Sequence, residues 1–199
     1  MEATHSSRLE PRSRALLLRT AADAIESQLE RRGGAGPVEA ALPAELLELR
    51  ASFVTLSIGG ELRGCCGSLE ARRPLATDVW HNARASAFGD PRFAPLEARE
   101  WVRVDLEVSV LSPLEPLVVQ SEAELLARLV PGEDGLVIAW RGSRATFLPK
   151  VWEQLRDPVE FLRHLKHKAG WNAEFWADDV EVWRYFTESA AAPGTNRRP

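Results

Sequence analysis

The chain has 199 residues, 45% of them apolar, with two cysteines and a formal net charge of -4 spread over interleaved acids and bases. That is enough apolar material for one generous domain or two small ones, and the charge balance argues against nucleic acid bound through bulk charge. No apolar run approaches the ~20 residues that span a bilayer, the opening MEATHSSRLEPRSR lacks the apolar stretch of an export signal, and two cysteines cannot build a disulfide framework, so a cytoplasmic protein with reduced thiols is expected.

From Arg14 to Arg31, apolar residues recur at three and four (Leu17, Leu18, Ala21, Ala24, Ile25, Leu29) and Gly33-Gly34 follows, which predicts an amphipathic helix. Pro43 can open a short helix through Arg50. The period then changes to two: Val54, Leu56 and Ile58 alternate with Phe53, Thr55 and Ser57, and Gly59-Gly60 predicts a hairpin turn into LRGCCG, residues 62 to 67. Thr77 is the expected N-cap of a helix from Asp78 to Phe88. Residues 102 to 111, VRVDLEVSVL, alternate as a strand.

Further on, Ser121 with Glu124 reads as a capping box ahead of a short helix. GLVIAWRGSRATFLP reads as a second hairpin turning at Arg141-Gly142, and Asp157-Pro158 as the start of a helix that ends at Gly170. DVEVWRYFT forms a last strand, and the tail AAAPGTNRRP is too poor in apolar residues to be expected to order. Hairpins rather than crossovers link most strands, so the fold class is α+β with mostly antiparallel sheet and flanking helices.

The only two cysteines stand side by side at 65 and 66. On an extended strand, neighbours point to opposite faces, so one thiol can be accessible while the other packs inward, and one metal cannot reach both sulfurs. A two-residue loop at Gly59-Gly60 would pair Ile58 with Glu61 and place Arg63 on the apolar face. A three-residue loop, Gly59-Gly60-Glu61, instead aligns Leu62, Gly64 and Cys66 with Ile58, Leu56 and Val54, and is preferred because it avoids an unpaired cation in the core. Cys66 then packs, while Arg63 and Cys65 emerge together on the other face. Gly64 and Gly67 would let a ligand or another backbone approach, and the Arg63 guanidinium would favour the thiolate of Cys65.

These residues carry a resemblance. LRGCCG is similar to the LRGCIG signature of the AMMECR domain family, whose bacterial and archaeal members are called AmmeMemoRadiSam system protein A. AFGDPRFAPL (87 to 96), LEVSVLSP (106 to 113), TFLPKVW (146 to 152) and EFLRHLKHKAG (160 to 170) match it in order, over Leu16 to Phe186. The resemblance implies two lobes with a discontinuous larger one, within 14–187, flanked by flexible termini at 1–13 and 188–199, and a signature strand near a cleft. It also implies grouping with a Memo-like protein and a radical SAM enzyme. Lys166 stands where many members have a cysteine, which weakens any scheme requiring two cooperating cysteines.

On this reading Cys65 is the expected catalytic thiolate and Arg63 its anion clamp. Gly64, Gly67, Asp90, Arg92 and Glu107 are the expected ligand-contacting residues, with a local Asp90–Arg92 or inter-loop ion pair the equal alternative to a binding role for that loop. Reaction, substrate (small molecule or protein) and cofactor are left open, and nucleic acid and membrane are not expected partners. A non-catalytic adaptor or ligand-binding module is the alternative, with an RNA role the weaker one. Dull explanations apply elsewhere: Thr146, Phe147 and Pro149 close a hairpin, Lys168 satisfies the carbonyl end of its own helix, His81 is solvated, and His164 with His167 lack the further ligands a metal site needs.

Overall fold

The computed structural model describes residues 9–32, 34 and 36–194. These form two compact units: one takes the residues up to Leu111 together with those from Glu188 onward, the other runs from Ser112 to Thr187. Sheets are antiparallel wherever a register is defined, and helices flank them, an α+β fold.

In the larger unit, α1 (Pro11–Leu29) and α2 (Leu75–Phe88) cover one face of a four-stranded sheet of order β2-β1-β3-β8, with β1 at Ser52–Ile58, β2 at Glu61–Gly67, β3 at Val104–Leu111 and β8 at Thr187–Ala192. A four-residue helix, α3, spans Ala98–Trp101. Val54, Leu56, Val104, Leu106, Val108 and Val110 point from the sheet into a core completed by Leu17, Ile25, Leu75 and Val79. The alternation of apolar residues along β1 and β3 therefore does what its period requires: one face is buried and the other carries Thr55, Ser57, Asp105, Glu107 and Ser109.

In the smaller unit, a second sheet has the order β4-β7-β5-β6. Its strands are β4 (Glu115–Pro116), β5 (Gly135–Trp140), β6 (Ser143–Phe147) and β7 (Glu181–Tyr185), packed with α4 (Glu122–Arg128) and α5 (Pro158–Lys168). The β5–β6 hairpin turns at Arg141 and Gly142, both with positive φ, as Arg-Gly predicts. The Ser121 hydroxyl accepts from the Glu124 N–H, and the Asp157 carboxylate from the Val159 N–H, so both predicted caps form. The core is aromatic: Trp152 stacks on Phe161 at 3.7 Å, and Phe147 meets the same ring edge-on.

Several expectations need correction. No α-helix follows Pro43; the chain makes single 3₁₀ turns at Glu39–Ala41 and Ala44–Leu46. α2 begins three residues before the predicted start, with Pro74 rather than Thr77 at its N-cap. β3 starts at Val104, leaving Val102 exposed. The predicted flexible termini are partly ordered: Leu9 is buried, α1 starts at Pro11, and residues 188–192 complete β8. Strand β8 needs no apolar side chains because its place beside β3 is set by backbone pairing, with the Ser109 and Ser189 hydroxyls 2.8 Å apart. The rest of those termini, residues 1–8 and 195–199, lies outside the described residues. No helix among the described residues is long and apolar enough to cross a membrane.

Candidate functional site

Both proposed hairpin registers are partly present. At the turn, Ile58 pairs with Glu61 and Ser57 with Leu62, as a two-residue loop requires; beyond it, Leu56 pairs with Gly64, Thr55 with Cys65 and Val54 with Cys66. Arg63 is the extra residue of a bulge that absorbs the difference. The bulge lets the turn close on Gly59-Gly60, both at positive φ, while still delivering Gly64 and Cys66 to the helix-covered side.

The two thiols consequently lie with different partners. Cys65 shares a face with Thr55, whose hydroxyl donates toward its sulfur at 3.5 Å. Thr55 is in turn the cross-strand neighbour of Glu107, so Cys65, Thr55 and Glu107 form a row, with the Cys65 and Glu107 backbones two strand spacings, roughly 10 Å, apart. Cys66, opposite Val54, is half-buried rather than sealed in the core. Burial pushes its thiol up, and the Asp90 carboxylate adds to that.

Arg63 does not serve Cys65. Its Nε and Nη2 donate to the two carboxylate oxygens of Glu100 on α3 at 2.8 and 3.0 Å, and that guanidinium holds Glu100 down at about 2. The bulge at position 63 breaks the alternation on which its expected role rested, and a forked, bidentate ion pair has claimed it.

Of the two readings of Asp90, the local ion pair with Arg92 is the one present. The Asp90 side chain is only 3% exposed. One oxygen accepts from the Cys65 N–H at 2.9 Å and from Arg92 Nη2 at 2.7 Å, the other from Arg92 N–H and Nε at 3.1 and 2.9 Å. Arg92 Nη2 also donates to the Cys65 carbonyl at 3.3 Å. Both outward-facing backbone groups of Cys65, on an edge strand, are thus held by one ion pair that stands in for a neighbouring strand. The donors, Arg92 first among them, hold the Asp90 carboxyl far below the usual carboxylate range, so it has no proton to give near neutral pH.

The glycines serve packing rather than ligand approach. A Cβ on Gly64 would fall inside the Ser86 backbone carbonyl of α2, and one on Gly67 inside the Phe53 ring. The space a ligand was expected to use is occupied by this chain's own atoms.

A feature the sequence reading missed ties these contacts together. Asp78, Asn82, Ser86 and Asp90 follow at intervals of four, along α2 and just past its end, and all are buried. Asp78 accepts from the Ser52 N–H and hydroxyl at 3.0 and 2.7 Å, and Asn82 donates to the Ser52 carbonyl at 3.0 Å. The Ser86 hydroxyl accepts from the Cys66 N–H at 2.8 Å and lies 2.7 Å from the Val54 carbonyl oxygen. The i, i+4 spacing of four small polar residues in TDVWHNARASAFGD was the available signal. Burial raises the Asp78 carboxyl despite its donors.

In the smaller unit, Thr146 bonds its hydroxyl to the Leu136 carbonyl at 2.8 Å, a hairpin contact as read. Lys168, expected at its own helix end, instead donates to the Thr146 carbonyl at 3.1 Å. Lys166 is completely buried, with Nζ 2.6 Å from a Glu122 carboxylate oxygen and 2.8 Å from the Ala173 carbonyl. No cluster of three or more potential metal ligands exists among the described residues.

Comparison with known proteins agrees with this architecture. A protein of Methanothermobacter thermautotrophicus is 38% identical over 146 residues, covering 72% of this chain and 76% of the relative. One from Thermofilum pendens is 36% identical over 190 residues, covering 89% of each. The crystal structure of the uncharacterized protein PH0010 from Pyrococcus horikoshii superposes with a TM-score of 0.82 at 29% identity, over 93% of this chain and 98% of that one. The AMMECR1 family model matches residues 18–190, and the chain therefore belongs to the AMMECR1 family.

Proposed function

We propose that this AMMECR1-family protein acts through the thiol of Cys65, as nucleophile or ligand-contacting group, within a cytoplasmic system shared with a Memo-like protein and a radical SAM enzyme. The observation that carries the reading is the unequal treatment of the two cysteines. Cys65 has its backbone fixed on its outward side by Asp90 and Arg92 and its sulfur receives the Thr55 hydroxyl, both cysteines being partly exposed. Cys66 faces the helix side, where burial disfavours its thiolate. A fixed backbone beneath a partly exposed cysteine is the arrangement that suits a nucleophile.

The test is competitive alkylation of the native chain with iodoacetamide. Cys65 is expected to label well before Cys66, and Cys65→Ser to abolish function with the two partners while leaving folding intact. Equal, slow labelling of both thiols overturns the reading.

A second reading, an adaptor or ligand-binding module docking to those partners, is favoured by the commitment of Arg63 to Glu100, which removes the expected activating cation. Under it, Cys65→Ser leaves both partner capture and function nearly unchanged.

A further inference from the structure

The Asp90–Arg92 pair has one member inside and one outside: the carboxylate is 3% exposed, the guanidinium 55%. Nε and Nη2 are occupied by Asp90 and the Cys65 carbonyl, while Nη1 has no hydrogen-bond partner among the described residues. The Phe93 ring lies against the guanidinium, 5.5 Å from its centroid. A buried anion joined to an exposed cation is an oriented dipole whose solvent-facing end is positive, so neutrality of the pair as a whole does not make its outer surface neutral. Arg63 offers no such surface, being 15% exposed and held by Glu100, itself 25% exposed. Glu107, on the Cys65 face, has its backbone two strand spacings away, whereas Arg92 touches the backbone of Cys65 itself.

We propose that Arg92 makes the Cys65 site selective for an anionic ligand, a molecule whose carboxylate or phosphate group lies against Nη1 while its remainder reaches the thiol. The proposal rests on the reading of Cys65 as the reacting group and adds the charge class of what reaches it. Because Nε and Nη2 are already bound, recognition uses the outer edge of the guanidinium, and the buried Asp90 keeps that edge in place.

The experiment compares the anionic reagent iodoacetate with neutral iodoacetamide on the full-length chain, following Cys65 by peptide mass spectrometry. The iodoacetate to iodoacetamide rate ratio at Cys65 is expected to exceed that of the urea-unfolded chain by roughly threefold to tenfold, the order one cation near contact supplies in water. The excess should shrink toward the unfolded value in about 1 M salt, where charges more than ~3 Å apart are screened. Arg92→Gln should abolish it and Arg92→Lys should retain most of it, which separates charge from folding. Protection of Cys65 against iodoacetamide by inorganic phosphate assigns a phosphate ligand, and protection by acetate a carboxylate one. A native ratio equal to that of the unfolded chain, or one unchanged by Arg92→Gln, overturns the proposal. Failure of Cys65 to outpace Cys66 with either reagent overturns instead the reading of Cys65 on which it rests.

Discussion

The polar stripe of α2 in the larger unit and Lys166 in the smaller one are buried by different means. Along α2 of the larger unit and just past its end, the buried polar residues Asp78, Asn82, Ser86 and Asp90 are short and bind the backbone of β1 and β2, although the same unit also buries Arg50, whose Nη2 donates to the Leu111 carbonyl. In the smaller unit a long cation, Lys166, is buried whole and closes on a carboxylate from another helix and on a loop carbonyl, with Nζ 6.0 Å from the Trp176 ring centroid. Short side chains from a helix can hold a strand to within a few tenths of an ångström, because few rotors separate the oxygen from the helix backbone. A lysine has four rotors, against one or two in the stripe on α2, and holds segments together without setting their register. The stripe on α2 therefore lies behind the thiol-bearing strand as a positioning device, whereas Lys166 acts as a clasp.

Substitutions at four positions break or sharpen that contrast, in decreasing order of the largest expected effect at each. Lys166→Ala removes a fully buried side chain and both its bonds and should cost about 4 kcal/mol in urea unfolding, while Lys166→Met, which keeps the volume, should cost only ~1 kcal/mol. Equal losses in the two variants would mean that the charge, not the filling, makes the clasp. Gly64→Ala drives a methyl into the Ser86 carbonyl and should cost ~3 kcal/mol, with altered Cys65 labelling as a second signature. Ser86→Ala leaves the Cys66 N–H and the Val54 carbonyl without their shared hydroxyl and should cost about 1–2 kcal/mol; a smaller loss would show that the ladder bond re-forms directly.

The smallest effect is a dependence on pH. Glu100 is held down at about 2 by Arg63, below its unfolded value, so the pair stabilises the fold above the ordinary carboxylate range and loses that contribution as pH falls toward 2. Glu100→Gln should therefore cost roughly 1 kcal/mol at neutral pH, given that the pair is partly exposed, and flatten the acid limb of an unfolding profile taken from about pH 5 downward. Asp90, depressed in the same direction, leaves a residual slope of the same sign. An unchanged acid limb in Glu100→Gln would refute the assigned pairing.

Much of the architecture could be read before any coordinates. The period-two runs of β1 and β3, the Arg141-Gly142 hairpin and the caps at Ser121 and Asp157 all appear where local chemistry places them, since each depends only on residues a few positions apart. The site was less legible. Cys65, Asp90 and Arg92 do come together, and the local Asp90–Arg92 ion pair is present as one reading of GDPRF has it, but nothing in that loop points to the burial of Asp90 or to its bond with the Cys65 N–H. Arg63 was assigned to the thiol and belongs to Glu100, a residue 37 positions away that the pattern around LRGCCG could not point to. Thr55 was seen only as the polar phase of an alternating strand and is the sulfur's hydrogen-bond donor.

By itself, then, the amino-acid sequence determined the elements, the opposite facing of two adjacent thiols and the family to which the chain belongs, because strand period, turn chemistry and motif order are properties of short stretches. The tertiary structure alone decided which cation stands beside Cys65, which glycine faces are filled and where Lys166 spends its charge. Those outcomes depend on competition among side chains distant along the chain, and a single bulged residue at position 63 was enough to redirect it.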